Sequence, residues 1–171
     1  MKIITKILLL TIILIFFPLK SFAHVEHYEK VEKFLMEIFK DGKKIGFNNY
    51  TFSRNDQNLE IDNKTEFNVS ILGLNAFSIK GASKEVYKNN KLVSFKSDTI
   101  QNKKKKFVDI YLNESKESYF IKGSSYTGEV DLDIVIGSWW NHKIIQSEKN
   151  ISPISGSINK QTINFIKKEK I

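Results

Sequence analysis

Hydrophobic and polar residues alternate with a period of two along much of the chain, which is typical of strands with one buried and one solvated face. The pattern is clearest between residues 59 and 71. Alternate positions there are mostly apolar: Leu59, Ile61, Thr65, Phe67, Val69 and Ile71. The intervening positions are polar or charged: Glu60, Asp62, Lys64, Glu66, Asn68 and Ser70. This segment is therefore predicted to be one long strand with a dry and a wet face.

Turn signals separate the other predicted strands. Asp41-Gly42 and Asn89-Asn90 predict two-residue hairpin turns, because Gly and Asn tolerate positive φ. Asn102 to Lys106 predicts a loop. Further strands are predicted at residues 34–39, 45–53, 107–112, 119–122, 131–136 and 162–166, and a short helix near residues 139–145. This order predicts a mainly β fold, an antiparallel meander that forms a curved sheet or half-barrel.

The start of the chain is typical of an export signal. A basic start precedes an apolar run from Ile7 to Phe17, and a small-x-small step ends at Ala23. These are the three parts of a secretory signal peptide, and the run is shorter than the about 20 residues of a membrane span. We therefore expect residues 1–23 to be a signal-peptide helix that is cleaved before His24. An uncleaved N-terminal anchor is the alternative, and the mature chain is expected to be periplasmic or secreted.

Residues 24–171 are expected to form a single β-rich domain, since their number suits one domain. The chain contains no cysteine, so an exported domain of this kind must be stabilised by packing without disulfides. The formal net charge of +8 falls to +5 without residues 1–23, which carry three lysines and no acid, and this modest surplus is interspersed with acidic residues. This balance indicates solubility rather than nucleic-acid binding.

Recognisable nucleophile, phosphate-binding and metal-binding motifs do not occur in the sequence. His24 and His27 beside the mature α-amino group offer a weak metal site, but a frayed N-terminus is the favoured interpretation. His142 has no identifiable catalytic partner. Asp131 and Asp133 lie two residues apart, and a glycosidase-type carboxylate pair stays open from sequence, although solvated strand residues explain them. The chain is predicted to be non-enzymatic, without metal or cofactor.

The densest charge run consists of Lys103, Lys104, Lys105 and Lys106. Peripheral contact with anionic lipid headgroups is one interpretation, and a hairpin tip that like charges keep soluble is the favoured one. Nucleic-acid binding is not expected, because no aromatic residues interleave with these lysines.

Two adjacent tryptophans, Trp139 and Trp140, cannot both point inward from a strand. We expect one to cap the core and the other to lie at a rim, where an indole suits a ligand mouth or a membrane interface. The simpler alternative is that both are ordinary anchors that close an open end of the sheet.

Several short elements together resemble one family of exported bacterial β proteins, catalogued as the domain of unknown function 6134 family. These elements are Phe39-Lys40-Asp41-Gly42-Lys43-Lys44-Ile45-Gly46, Tyr50-Thr51-Phe52, Leu72-Gly73, Glu85-Val86-Tyr87, Lys91-Leu92-Val93, Ser138-Trp139-Trp140-Asn141 and Ile154-Ser155-Gly156. The resemblance implies a curved antiparallel sheet, akin to the half-barrels of periplasmic lipoprotein and lipid carriers, and implies no activity. Relatives continue past Ile171, so the resemblance also implies a C-terminally shortened chain with an exposed sheet edge.

The 13 phenylalanines in 171 residues, on a meander with few helices to cover it, predict an apolar face that must be hidden from water. We therefore expect an apolar ligand, such as a lipid or acyl chain, on the concave face of the sheet. Its expected lining is Phe67, Val69, Phe77, Phe95, Trp139 and Trp140. The alternative is an envelope structural or assembly factor that binds a protein partner through its surface or open edge.

Overall fold

A computed structural model of the chain describes residues 30–55, 57–164 and 166. The predicted signal peptide, its cleavage site between Ala23 and His24, and His27 lie outside these residues. Eight strands form one antiparallel sheet in chain order. They are β1 (Lys33–Lys40), β2 (Lys43–Asn55), β3 (Asn58–Ile71), β4 (Leu74–Lys88), β5 (Lys91–Gln101), β6 (Lys104–Asn113), β7 (Ser118–Gly123) and β8 (Thr127–Asp131). Within the described residues the sheet is not closed, because β1 and β8 do not pair. The predicted mainly β meander is confirmed.

A second, three-stranded sheet follows in the C-terminal part of the chain. It contains β9 (Val135–Ile136), β10 (Lys149–Ile151) and β11 (Ile158–Lys160), with β10 in the middle. A four-residue helix, Lys143–Gln146, lies between β9 and β10. This helix begins later than the one predicted near residues 139–145. Within the described residues no helix is long and apolar enough to cross a bilayer.

Four tight turns of the large sheet share one backbone geometry, in which both central residues have positive φ. They are Asp41-Gly42, Leu72-Gly73, Asn89-Asn90 and Asn102-Lys103. The predicted loop from Asn102 to Lys106 was too long, because Lys104 already pairs with Gln101 in the β5–β6 ladder. Cross-strand pairing therefore extends the strand through the lysine run.

One face of the large sheet, here called the core face, carries most of the buried side chains. Residues paired across neighbouring strands lie on the same face, so Phe52, Ile61, Glu85, Phe95, Ile110 and Ile121 form one continuous row. The segment of residues 132–163, here called the covering segment, packs on this row. It contributes Ile136, Trp140 and Ile151 to the main core.

Two contacts fix the covering segment over the β5–β7 part of the sheet. The hydroxyl of Ser97 donates a hydrogen bond to the carbonyl of Pro153 at 2.5 Å. A Cβ at Gly123 would lie 2.7 Å from the carbonyl oxygen of Ser155, closer than real Cβ atoms approach, so the segment packs directly on the backbone of β7.

The predicted strand at residues 162–166 was wrong, since residues 162–164 and 166 lie outside any strand. The side chain of Gln161 donates hydrogen bonds to the carbonyls of Ile144 at 2.6 Å and Ser147 at 2.8 Å. These bonds satisfy carbonyls at the end of the short helix, and the chain leaves the sheet at that point. The strand predicted at residues 131–136 is interrupted in the structure. Strand β8 ends at Asp131, and β9 begins only at Val135.

Candidate functional site

A glutamate, Glu85, lies in the middle of the main core, and only 1% of its surface is exposed. It belongs to the core face of β4, where its cross-strand neighbours are Ile61 on β3 and Phe95 on β5. A buried carboxylate is costly unless hydrogen bonds replace its water. Its surroundings therefore decide whether it can be accommodated.

Three side chains donate hydrogen bonds to this carboxylate. Oε1 accepts bonds from the hydroxyl of Ser138 at 2.5 Å and from Nε1 of Trp140 at 3.0 Å. Oε2 accepts a bond from the hydroxyl of Tyr87 at 2.7 Å. Two of the three donors belong to the covering segment, so Glu85 ties that segment to the sheet.

Burial raises the pKa of Glu85 above its ordinary value of 4.5, although the bonds from Ser138, Trp140 and Tyr87 oppose this shift. Burial, reinforced by the neighbouring carboxylate, also raises the pKa of Tyr87 well above 10.0. Among the described residues, Glu85 takes part in no ion pair. For Glu85, the loss of hydration on burial therefore raises the pKa more than the three neutral hydrogen-bond donors lower it.

A second set of hydrogen bonds continues this network towards β2. The hydroxyl of Tyr50 accepts bonds from the backbone N–H of Trp139 at 3.2 Å and from the side-chain amide of Asn48 at 3.1 Å. The amide of Asn63 in turn donates to Oδ1 of Asn48 at 2.6 Å. The covering segment is thus held at β2 as well as at β4.

The raised pKa of Glu85 predicts a pH-dependent stability. Below pH 4.5 the carboxyl of Glu85 is protonated in both the folded and the unfolded protein. Above that pH the unfolded chain loses its proton first, because its pKa is lower. The free energy of unfolding therefore falls as the pH rises through the pKa of the folded protein. Glu85→Gln removes this titration. Urea unfolding of both proteins, from acidic to neutral pH, should show the variant gaining stability relative to the unchanged protein as pH rises. Parallel curves would contradict the assignment.

The network joins two short sequence elements that lie far apart along the chain, Glu85-Val86-Tyr87 and Ser138-Trp139-Trp140-Asn141. The family model described as Domain of unknown function (DUF6134) matches residues 36–171. The chain belongs to this family. No curated protein and no solved structure matches it. In this DUF6134 chain both elements supply hydrogen-bonding partners to one buried centre, which locks the covering segment in place.

The covering segment leaves part of the core face of this DUF6134 domain outside the main core. The side chains there form what is here called the uncovered patch: Ile38, Phe67, Val69, Phe77 and Ile79. None of them belongs to the main core cluster. The rings of Phe67 and Phe77 lie 5.8 Å apart, and all but the buried Ile79 are half-exposed. This apolar surface is the candidate ligand site.

The structure divides the predicted ligand lining into two groups. Phe67, Val69 and Phe77 meet in the uncovered patch, whereas Phe95 and Trp140 lie inside the main core with 1% and 2% of their surfaces exposed. Trp139 is 65% exposed. The expectation that one tryptophan caps the core while the other lies at its rim agrees with these positions.

The opposite face of the sheet, here called the outer face, carries two adjoining open grooves of about 360 and 650 Å³, and the smaller one is also lined by Phe67 and Ile79 of the uncovered patch. They share Phe47, Glu66, Lys80 and Ile100. An ion pair of 3.0 Å between Lys80 and Glu66 crosses their common floor. A charged floor disfavours an acyl chain, so the uncovered patch is the better apolar site.

The other candidate residues from the sequence are not brought together. No group of three His, Asp or Glu residues able to hold a metal ion occurs in the described part of the chain. His142 directly precedes the short helix, and Asp131 and Asp133 are exposed. Lys103 to Lys106 lie in the β5–β6 turn and at the start of β6.

Sequence reasoning did not single out Glu85 as the centre of the network. One signal was available, because Glu85 shares the parity of Ile79 and Tyr87 along β4 and must therefore face the core. Its three donors were not predictable, since Ser138 lies 53 residues away and reaches it only through the path of the covering segment.

Proposed function

We propose that this protein is an exported, non-enzymatic β domain that holds the acyl chain of a lipid on the uncovered patch. One cross-strand row carries the proposal. It runs from Ile38 through Gly46, Phe67, Ile79 and Gln101 to Lys104, each residue paired with the next. The row is apolar at one end and cationic at the other, which matches an amphiphile with an anionic headgroup.

The dimensions of the row suit this ligand. Neighbouring strands lie about 4.8 Å apart, so Phe67 and Lys104 are separated by roughly 14 Å across three strand spacings. An extended acyl chain can lie across Phe67 and Ile79 while its headgroup contacts the ammonium group of Lys104. The half-exposed pair of Phe67 and Phe77 would then lose its remaining contact with water.

Titration with cis-parinaric acid, a fluorescent fatty acid, tests the proposal. Saturable binding is expected, and Phe77→Ala should weaken it by roughly 10- to 100-fold, because about 1.5–3 kcal/mol of side-chain burial is lost. Phe107→Ala, the same truncation on the outer face outside both grooves, is the matched control and should bind like the unchanged protein. Absence of saturable binding, or loss with Phe107→Ala alone, would exclude the uncovered patch.

A second candidate function is an envelope assembly factor that pairs with another protein. Strand β1 is an end strand of the sheet, and its side chains Leu35 and Phe39 are 67% and 58% exposed. An edge strand that has no outer neighbour among the described residues can accept an additional strand. Two results together would favour this function over the first. They are binding of a defined protein partner that Leu35→Glu abolishes, and no binding of the fatty acid by the unchanged protein.

A further inference from the structure

One end of the large sheet carries an extended hairpin. Because the strands form a meander, the β1–β2, β3–β4 and β5–β6 turns all lie at this end. Strand β2 pairs with β3 only as far as Phe67, and β5 pairs with β4 only as far as Ile79. Residues 68–78 therefore form a two-stranded arm that has no lateral strand within the described part of the chain.

The tip of this arm is apolar and exposed. Ile71, Leu72 and Leu74 have 57%, 98% and 75% of their surfaces exposed, and residues 67–79 include no charged side chain. Leu72 lies roughly 17 Å beyond Phe67 along the strand, at about 3.4 Å per residue. An exposed apolar cluster on a chain whose composition is 27% charged indicates an interaction site.

The backbone of Leu72 supports the same conclusion. It has a φ of 52°, and the equivalent positions of the other three tight turns are Asp41, Asn89 and Asn102. Asp and Asn suit this left-handed position, whereas leucine is uncommon there. Since Leu72 is 98% exposed, its side chain adds no packing that would offset the strain. The apolar side chain of Leu72 therefore indicates a contact with a surface outside the folded domain.

Lysines lie behind the tip. Asn102 is fixed to the base of the arm, because its side chain accepts a bond from the N–H of Ser78 at 2.7 Å and its own N–H donates to the carbonyl of Ser78 at 3.0 Å. The run from Lys103 to Lys106 begins there, and among the described residues none of these four lysines forms an ion pair. Lys43 lies in the β1–β2 hairpin on the other side of the arm.

We propose that this end of the sheet docks on an anionic membrane surface. The tip enters the boundary between headgroups and acyl chains, which an apolar protein surface penetrates by about 5–10 Å. The lysines stay behind with the lipid phosphates, where each adds roughly five-fold to the affinity. A projecting tip flanked by lysines that form no ion pair among the described residues, Lys43 and Lys103 to Lys106, fits a deformable anionic bilayer better than the rigid cleft of a protein. This inference does not rest on the proposed fatty-acid site.

The variant Leu72→Asn separates docking from folding. It creates Asn-Gly, the favoured sequence for this turn, so the variant should unfold at an equal or higher urea concentration. Sedimentation with vesicles of phosphatidylglycerol and phosphatidylcholine should show at least about ten-fold weaker binding, while binding of cis-parinaric acid should be unchanged. Equal binding of the variant and the unchanged protein to these vesicles would overturn the proposal.

A fluorescent label on the tip shows directly what it contacts. The chain has no cysteine, so Leu72→Cys and Asn89→Cys each allow labelling of one turn, at opposite ends of the sheet, with an environment-sensitive nitrobenzoxadiazole dye. Phosphatidylglycerol vesicles should shift the emission of the label at position 72 to the blue, and brominated lipids should quench it. The label at position 89 should not respond. Equal responses of the two labels, or no response at position 72, would overturn the proposal. Replacing Lys103 to Lys106 with glutamine should also weaken binding to these vesicles, and unchanged binding of that variant would overturn the proposal as well.

Discussion

Replacing Glu85 with alanine is expected to lower the free energy of unfolding by about 4 kcal/mol at neutral pH. The substitution removes the carboxylate that accepts hydrogen bonds from the side chains of Ser138, Trp140 and Tyr87. Each buried donor left without a partner costs about 1–3 kcal/mol, and water that enters the new cavity offsets part of that loss. Urea unfolding measures the change.

Glu85→Gln is the matched control for this loss. Its amide oxygen takes the place of Oε1 and still accepts the bonds of Ser138 and Trp140, while its NH₂ group faces Tyr87, whose hydroxyl can rotate to accept. We expect a loss of about 1 kcal/mol or less. Hydrogen exchange should show that alanine opens the covering segment before the sheet. Equal stability of the two variants would mean that the network does not hold this segment.

The alternation of residues allowed the fold class and the faces of the strands to be predicted. The long strand β3 and the turns at Asp41-Gly42 and Asn89-Asn90 follow from local chemistry, because period-two patterning and positive φ are properties of a few neighbouring residues. Leu72-Gly73 has the same geometry without the usual residue at its first position. Residues Lys104 to Lys106 belong to a strand because they pair with β5 across the sheet, which the local sequence does not indicate.

The candidate site was only partly predictable. Phe67, Phe77 and Phe95 share one face by parity, but parity does not show where the covering segment lies. That segment separates Phe95, which it buries, from Phe67 and Phe77, which stay half-exposed. Its path depends on bonds between residues far apart in sequence, such as the 55-residue separation of Glu85 and Trp140, and no local pattern indicates them.

The buried network and the uncovered patch have a common physical origin. A single antiparallel sheet needs something to cover its apolar face, and within the described residues the covering segment protects the row through Glu85 but not the end that carries Phe67 and Phe77. A polar centre fixes this segment more specifically than apolar packing alone, because an altered position would leave the carboxylate unsatisfied. The same fixed position leaves Phe67 and Phe77 available for a ligand.

Replacing Trp140 with alanine is expected to cost about 4–5 kcal/mol, whereas Trp139→Ala should change the free energy of unfolding by less than about 0.5 kcal/mol. The Trp140 ring packs edge-on against Phe52 at 5.7 Å and Tyr87 at 5.8 Å, and its Nε1 donates to Glu85. Trp139 is 65% exposed and donates to Tyr50 only through its backbone, which alanine retains.

The two variants form an internally matched pair, because these are the only tryptophans of the chain. Each variant keeps one indole as a fluorescent reporter of its own unfolding in urea. Trp139→Ala should emit at short wavelength when folded, since Trp140 is buried, and Trp140→Ala at longer wavelength. Similar losses of stability in both variants would mean that both indoles support the core. A loss confined to Trp140→Ala would show that the covering segment is anchored through one indole and the carboxylate beside it.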